Sequence, residues 1–207
     1  EDRLLRLRLN RPKANIVDAA MIAALDAALV ENSRDARLCA VVLDAEGPHF
    51  SFGASVEEHL PGQCAAILAA LHRLVLCMVE FPVPLLVAVR GQCLGGGLEL
   101  ALMADIAVVA DDTKLGMPAT RFLGPALGSL HLFFHRLGPV LARRLLLTGD
   151  TIEAGEIAHL GVFTEVVEAD AVTARAGWWA EKASRMPADG IVLAKEAFRL
   201  IEQLSAY

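Results

Sequence analysis

The chain of 207 residues is 55% hydrophobic and has a formal net charge of -6 at pH 7. This apolar content excludes a disordered chain, and the length suits one domain, or one domain with an appendage. Acidic and basic residues are mixed along the sequence, whereas a nucleic-acid-binding protein usually has a clustered basic face. We therefore expect a globular protein with no nucleic-acid partner.

The most apolar stretches are too short to cross a membrane as a helix. An arginine or prolines interrupt the runs at 64–79 and 81–89, and a membrane-spanning helix needs about 20 consecutive apolar residues. No basic-then-apolar leader opens the sequence. The four cysteines lie in apolar surroundings without a CxxC pair, which favours reduced core thiols over disulfides or zinc ligands. These features predict a cytoplasmic protein that does not contact membranes.

The first part of the chain alternates predicted strands with predicted helices. Leucines alternate with arginines over 5–9, which is the period of a half-buried strand, and a turn follows at 11–15. Asp18 is the predicted N-cap of a helix over 19–32, because a carboxylate can accept hydrogen bonds from the free amides of a first turn. The short apolar run at 38–43 predicts a buried strand.

The remainder continues this alternation and then becomes helical. Residues 63–80 have helical periodicity, and β-branched runs at 82–91 and 104–111 predict two further strands. After a short helix that Asp150 or Thr151 should cap and Gly161 should end, one more strand is expected. Only helices are predicted after residue 170. Alternating strands and helices indicate an α/β or α+β layered core.

Three consecutive glycines, Gly95 to Gly97, lie at a predicted strand-to-helix turn, and Glu99 follows two residues later. Glycines allow positive φ and close approach of another molecule, and free amides at a helix start favour a negatively charged oxygen. The stretch matches no phosphate-binding motif, and a carboxylate would repel phosphate. An oxyanion hole beside a proton-transferring acid is the chemical alternative. The other reading is close packing of a helix on a sheet, with Glu99 as an ordinary first-turn acid.

Five segments in register, 9–15, 40–55, 91–111, 115–116 and 145–167, together resemble the crotonase, or enoyl-CoA hydratase/isomerase, superfamily. The resemblance implies an α/β (α+β) fold in which a spiral of ββα units binds an acyl-CoA thioester. It also implies a homotrimer or a dimer of trimers, and no cofactor beyond the coenzyme A of the substrate.

The same resemblance implies two regions of the chain. Residues 1–170 would be the acyl-CoA-binding spiral core, and residues 171–207 would be a C-terminal helical segment. Family members usually continue with further helix at this end, so the segment is expected to be incomplete relative to the family.

The resemblance also assigns roles to residues. The N–H groups of Ala54 and Gly96 would form the oxyanion hole, and Glu99 would be the catalytic acid or base. The segments that match the family's substrate-binding loops contribute Lys13, Ala14, Phe52, Gly95 and Gly97. Without the other motifs, the loop at 11–15 would be interpreted as a plain turn with a solvated lysine.

The sequence departs from the family pattern at the second catalytic glutamate, where Ala119 stands. Alanine cannot transfer a proton, so three alternatives remain open. Glu99 acts alone, another side chain substitutes, or the protein binds acyl-CoA without catalysis. Arg121 is the possible auxiliary group, and the other polar residues nearest in sequence to the site loops are Ser55, Glu57, Glu58 and His59. Each of these also suits a solvated surface.

Two stretches, 11–22 and 47–75, are most similar to one subgroup of the superfamily, the cyclohexa-1,5-dienecarbonyl-CoA hydratases. If the similarity extends to substrate, water adds to an alicyclic dienoyl-CoA in the degradation of aromatic compounds. His131 and His135 have helical spacing, but no carboxylate or third ligand is evident nearby, so no metal site is predicted. Asp105 is expected to be structural, and Asp150 to be a helix cap.

Overall fold

The computed structural model describes residues 3–11, 13–123 and 130–205, and its strands form two sheets. The larger sheet is parallel and contains, in spatial order, β1 (Leu4–Leu9), β2 (Ala40–Ala45), β3 (Leu85–Val89), β5 (Ile106–Ala110) and β8 (Glu165–Val167). The smaller sheet contains β4 (Gln92–Leu94), β6 (Lys114–Gly116) and β7 (Thr151–Glu153). The strands β4 and β6 run parallel, whereas β7 is antiparallel to β6.

Helices connect these strands and make up the C-terminal part. The α-helices are α1 (Ala19–Asn32), α2 (Cys64–Val79), α3 (Gly96–Leu102), α4 (Leu130–Leu132), α5 (Gly138–Thr148), α6 (Val172–Ser184) and α7 (Ala188–Ser205). A π-helix spans Phe133–Leu137, and 3-10 helices span Glu57–His59, Pro118–Arg121 and Ala154–Leu160. The expected start of α1 is confirmed, because the Asp18 carboxylate accepts a hydrogen bond from the Met21 amide at 2.9 Å.

The chain winds as a spiral in which each turn adds one strand to each layer. Each new long strand joins the edge of the parallel sheet next to its predecessor. A short extended segment follows it and pairs with the corresponding segment of the next turn, as Ser51 does with Cys93 and Gln92 with Lys114. A helix then returns the chain to the sheet. This confirms the predicted ββα spiral.

The central strand β3 is buried on both faces, which explains its uninterrupted apolar sequence. Leu85, Val87 and Val89 belong to the main core, which also includes apolar residues of α1 and α2. Leu86 and Ala88 point to the opposite face, where alanines of α6 cover the sheet. The sheet is therefore enclosed between two helical layers, and α6 belongs to the packed core.

The predicted helix start near Asp150 is wrong. Thr151 begins β7, because residues 151–153 pair with β6, and the helix starts only at Ala154. The Glu153 amide donates to Glu156 Oε1 at 3.1 Å, which satisfies a free amide at the true start. Gly161 ends this helix with a left-handed φ of 66°, as expected. Asp150 is not a helix cap; its carboxylate accepts from Arg144 Nε at 2.9 Å.

The cysteine prediction is partly correct. All four thiols are free, but only Cys93 is buried, while the others are half-buried. Asp105 is structural, as expected, since its Oδ2 accepts a hydrogen bond from the Leu85 amide at 2.7 Å and so links β3 to the start of β5. The same carboxylate forms an ion pair with Lys195 on α7.

Candidate active site

Two backbone segments from successive turns of the spiral meet at Gly53 and Gly95. Gly53 has a φ of 100°, and a Cβ atom there would lie 2.8 Å from the Leu94 carbonyl oxygen. Only glycine permits both this conformation and this approach. The Gly53 carbonyl accepts a hydrogen bond from the Val17 amide at 2.9 Å. In a trans peptide the C=O and the following N–H point in opposite directions, so the Ala54 N–H points away from Val17.

The Ala54 nitrogen and the Glu99 carboxylate both lie close to the side of Gly96 where other residues carry a side chain. A Cβ atom on Gly96 would lie 3.5 Å from the Ala54 nitrogen and 3.5 Å from Glu99 Oε2. Among the backbone hydrogen bonds of the described residues, none has the Ala54 or Gly96 N–H as its donor. The Ala54 and Gly96 nitrogens and the Glu99 carboxylate therefore border the same small space, which the absence of a side chain at Gly96 leaves open.

The three glycines of the triplet each satisfy a different requirement. Gly95 has a φ of 51° and precedes α3, and its amide donates to the Gly116 carbonyl at 2.9 Å. Gly96 leaves the space beside Ala54 empty. Gly97 permits close packing, because a Cβ atom there would lie 2.6 Å from Ser51 Cβ. Close packing thus explains Gly97, whereas Gly96 is the glycine that the oxyanion-hole interpretation concerns.

Glu99 lies in the first turn of α3 and is only 7% exposed. A carboxylate held near free amides at a helix start can exchange a proton with a substrate while the amides bind an oxygen that gains negative charge. Cys93, on the adjacent strand β4, cannot serve as the nucleophile. Complete burial raises the pKa of its thiol far above the ordinary value of 9.0, so it is protonated.

The predicted coenzyme A loop borders the segment that carries Ala54. Lys13 is exposed and has a φ of 76°, and the neighbouring Ala14 carbonyl accepts from the Phe52 amide at 2.9 Å. The Phe52 ring is 42% exposed and stands edge-on to the imidazole of His49, with ring centroids 5.1 Å apart. The structure therefore brings the predicted loop residues to the segment that carries Ala54.

Sequence reasoning missed two polar residues that hold these loops. Asn15 is 4% exposed, and its amide nitrogen donates to the carbonyls of Glu46 and His49 at 3.0 and 2.9 Å. Ser51 is fully buried and its hydroxyl donates to the Asn15 carbonyl at 2.7 Å. Both residues lie inside the recognised motifs, but composition and spacing do not reveal that their side chains point inward.

At the position of the expected second acid stands Ala119, whose side chain carries no carboxylate. Ala119 lies in the 3-10 helix after β6, half-buried against the main core. Arg121 is exposed, and its Nε donates to the Thr148 carbonyl at the end of α5 at 3.1 Å. Glu58 accepts a hydrogen bond from the Ala19 amide at 2.9 Å, so it caps α1 from outside the helix. His59 Nδ1 lies 2.7 Å from the Ser55 carbonyl oxygen.

Other potential sites lie elsewhere in the molecule. The imidazoles of His131 and His135 have ring centroids 6.5 Å apart, and in the described ranges no three His, Cys, Asp or Glu side chains are grouped as metal ligands would be. A cavity of about 340 Å³ lies beneath α7, where its lining includes Met103 and Lys195. It is at the opposite end of α3 from Gly96. Across the described residues, no helix is sufficiently long and apolar to span a membrane.

Known proteins resemble this chain in sequence. A cyclohexa-1,5-dienecarbonyl-CoA hydratase from Thauera aromatica is 49% identical over 196 residues, which is 95% of this chain and 76% of that protein. A 2,3-dehydroadipyl-CoA hydratase from Escherichia coli is 28% identical over 208 residues, covering 99% of this chain and 82% of the relative.

Solved structures share the fold as well. The crystal structure of an enoyl-CoA hydratase/carnithine racemase from Magnetospirillum magneticum superposes with a TM-score of 0.90 and 27% identity, over 97% of this chain and 78% of that one. The sequence model of the enoyl-CoA hydratase/isomerase family matches residues 1–204. The match spans both the spiral and the helices after it, so the chain belongs to the enoyl-CoA hydratase/isomerase family.

Proposed function

We propose that the protein hydrates an enoyl-CoA thioester by stabilising its enolate with the N–H groups of Ala54 and Gly96 and by moving a proton with Glu99. The observation that carries this proposal is that the Ala54 nitrogen and Glu99 Oε2 both lie beside Gly96, each 3.5 Å from where a Cβ atom on Gly96 would be. Donors aimed at an oxygen that gains charge lower the barrier to the reaction, and loss of one typically costs about 100- to 1000-fold in rate.

One carboxylate is sufficient to balance the reaction. Glu99 accepts a proton from water while the water oxygen bonds to the β-carbon, and the π electrons move to the thioester oxygen. The two N–H groups hold this enolate oxygen. The enolate then collapses as the α-carbon takes the proton back from Glu99, which returns to its ionised state. The second glutamate that Ala119 replaces is therefore not required by stoichiometry.

The substrate that we propose is cyclohexa-1,5-diene-1-carbonyl-CoA, an intermediate type expected in the degradation of aromatic compounds. Support comes from the relative in Thauera aromatica, whose name states this substrate and which is 49% identical. In this conjugated ring the enolate forms at the same thioester oxygen. The Lys13–Asn15 loop, Phe52, Gly95 and Gly97 would border the bound thioester, since they surround the Ala54 segment.

The test is to incubate the purified protein with crotonyl-CoA and, separately, with the cyclic dienoyl-CoA, and to follow each by mass spectrometry. We expect a gain of one water on the cyclic substrate. Glu99→Gln should retain thioester binding but slow turnover by about 100- to 10,000-fold, the usual contribution of a positioned acid or base. Unchanged turnover in this variant would refute the role of Glu99.

The alanine at position 119 leaves two alternative functions for the protein, and the same experiment distinguishes them. A double bond that migrates without a gain in mass would indicate an isomerase, which needs only one proton-transferring group. Thioester binding without any product, and without rescue by Ala119→Glu, would indicate a non-catalytic acyl-CoA-binding protein. Arg121 stays a candidate auxiliary group only if Arg121→Gln lowers turnover, because its observed contact is with the end of α5.

Assembly and location are parts of the proposal too. We propose a homotrimer or a dimer of trimers, supported by exposed apolar side chains on α5 and α7, among them Val140, Leu147, Leu193 and Phe198. The four free thiols suit the reducing cytoplasm. No cofactor other than the substrate's coenzyme A is needed for the proposed steps, because backbone amides and one carboxylate supply them.

A further inference from the structure

The buried hydroxyl of Ser51 links the two loops that border the site. It donates to the Asn15 carbonyl at 2.7 Å and accepts from the Gly53 amide at 3.0 Å. Ser51 is completely buried, so water cannot replace either bond. The hydroxyl therefore acts both as a donor and as an acceptor, each time to a backbone group.

The rest of Ser51 lies against the start of α3. Its carbonyl accepts from the Leu94 amide at 2.9 Å, one residue before the glycine triplet. Its Cβ and Oγ occupy the space that a side chain at Gly97 would need, at 2.6 and 2.9 Å from the position of that Cβ. Ser51 thus contacts the segments that carry both proposed oxyanion donors.

The direction of the Ala54 N–H depends on the peptide group between Gly53 and Ala54. Gly53 has no Cβ to restrict its dihedrals and has a φ of 100°, so hydrogen bonds must fix its orientation. The Val17 amide holds its carbonyl at 2.9 Å, and Ser51 Oγ holds its amide at 3.0 Å. Only the second of these bonds is made by a side chain.

We propose that Ser51 is a positioning residue whose hydroxyl aims the Ala54 N–H at the thioester oxygen. This inference rests on the proposed function. A donor that is misdirected weakens the transition state more than the ground state, so the effect should appear mainly in kcat. A misplacement of 1 Å can cost about 100-fold in rate. For Ser51→Ala we expect kcat to fall about 10- to 100-fold and KM to change less than about threefold.

A spectroscopic measurement separates this role from a structural one. Acetoacetyl-CoA forms an enolate that absorbs in the near ultraviolet, and an oxyanion hole increases the enolate fraction of the bound thioester. We expect Ser51→Ala to bind acetoacetyl-CoA with similar affinity but to lower the equilibrium ratio of bound enolate to bound keto form about tenfold, as expected for a misplaced donor. The matched control is Thr113→Val, because Thr113 is fully buried and its Oγ1 has no partner within the described residues.

The outcomes are distinct. A lower enolate ratio in Ser51→Ala, with an unchanged ratio in Thr113→Val, supports the positioning role. An unaltered ratio in Ser51→Ala overturns it. If Ser51→Ala does not fold, Ser51→Cys, with a thiol that is a weaker donor and acceptor, is measured in its place against the same criterion. A wild-type protein that binds acetoacetyl-CoA without enolate enrichment would refute the proposed function itself, and the role of Ser51 with it.

Discussion

Gly96 has a helical backbone conformation, which any residue other than proline adopts readily, so its conformation does not require glycine. The space that a methyl group would fill lies 3.5 Å from the Ala54 nitrogen and from Glu99 Oε2, an ordinary van der Waals separation. A methyl group would therefore fit, but it would project into the space between the Ala54 nitrogen and Glu99, where we propose that the thioester oxygen binds. Gly97 differs, because there a methyl group would meet Ser51 at 2.6 Å. Adjacent glycines should thus respond to alanine in opposite ways.

We expect Gly96→Ala to fold with unchanged or slightly higher stability, since alanine is favoured over glycine in helices by up to about 1 kcal/mol. Its turnover should fall at least about 100-fold, the typical cost of losing an oxyanion donor. Thermal unfolding and steady-state kinetics on the same preparation test both expectations. Activity near that of the wild type would place the reaction outside this site.

We expect Gly97→Ala to lower the free energy of unfolding by about 1–3 kcal/mol, because overpacking a buried contact costs roughly this amount. Urea denaturation measures the change. Gly190→Ala on α7 is the matched control, since a Cβ there would meet nothing within 4 Å. A Gly97→Ala variant as stable as this control would contradict the close contact with Ser51.

The strand β1, at the edge of the parallel sheet, is held to β2 by ion pairs as well as by backbone hydrogen bonds. Asp44 on β2 accepts hydrogen bonds from Arg6 Nε at 2.8 Å and Arg8 Nε at 2.9 Å. Burial opposes ionisation of this carboxylate, but hydrogen bonds from Arg8 and Arg6 outweigh it, so the pKa of Asp44 lies below its ordinary value of 3.8. The helix α7 is attached by similar means, through the ion pairs Lys195–Asp105 and Arg199–Glu80.

The lowered pKa of Asp44 makes part of the stability dependent on pH. Because the folded state binds the proton less readily than the unfolded state, the contribution is complete above the ordinary pKa of 3.8 and is lost as the pH falls below it through the folded pKa. Asp44→Asn should cost about 1.5–3 kcal/mol at pH 7, as for hydrogen bonds to charged groups. Its deficit relative to wild type should shrink towards pH 3.

Urea denaturation at several pH values measures this deficit. Asp35→Asn is the control, because Asp35 is paired with Arg37 only two residues away and is expected to contribute little. A deficit that does not change between pH 7 and pH 3 would contradict the assignment to the Asp44 carboxylate.

The ion pair of Lys195 should determine how tightly α7 is held. Lys195 has a side chain that is only 11% exposed, whereas several apolar side chains of α7 are exposed, and the cavity of about 340 Å³ lies beneath the helix. In Lys195→Met we expect the amides of α7 to exchange hydrogen about fivefold faster, as for a loss near 1 kcal/mol. The amides of α3 should be unaffected. Glu196→Gln, at the exposed neighbouring position, is the control. Equal amide exchange in both variants would show that the Lys195–Asp105 ion pair does not hold α7.

At the scale of the whole molecule, the two faces of the parallel sheet differ in what covers them. The main core lies between the sheet and α1 to α3, and α6 covers the other face. The outward surface of α5 presents Val140 and Leu147, which are 79% and 81% exposed. These residues are seven positions apart and therefore share one face of the helix. In the proposed assembly, this face of α5 contacts another copy of the chain.

We expect sedimentation to give three or six times the chain mass of 22.1 kDa, because the proposed trimer would cover this face. Leu147→Glu should shift the protein towards monomer, since a charge is costly to bury without a partner. Val30→Glu on α1, where the valine is 57% exposed, is the control. A monomeric wild-type protein would refute the proposed assembly.

Much of the fold was predictable because local physics specifies it. The alternation of Leu5, Leu7 and Leu9 predicted β1, and the capping carboxylate of Asp18 predicted the start of α1. The helix start near Asp150 was predicted wrongly, because pairing of residues 151–153 with β6 overrides the local capping signal. Competition of this kind depends on a strand that is distant in sequence.

The sequence by itself determined the family, the ββα rhythm and the residue types at the site, because motif spacing and periodicity are properties of the chain. Only the tertiary structure showed what lies against each glycine, since Gly96 approaches Ala54 and Gly97 approaches Ser51, residues over 40 positions apart in the chain. It alone also revealed Ser51 and Asn15, whose hydrogen bonds arise where successive turns of the spiral pack together. Burial in the spiral leaves these polar groups no partner but each other and the loops that they hold.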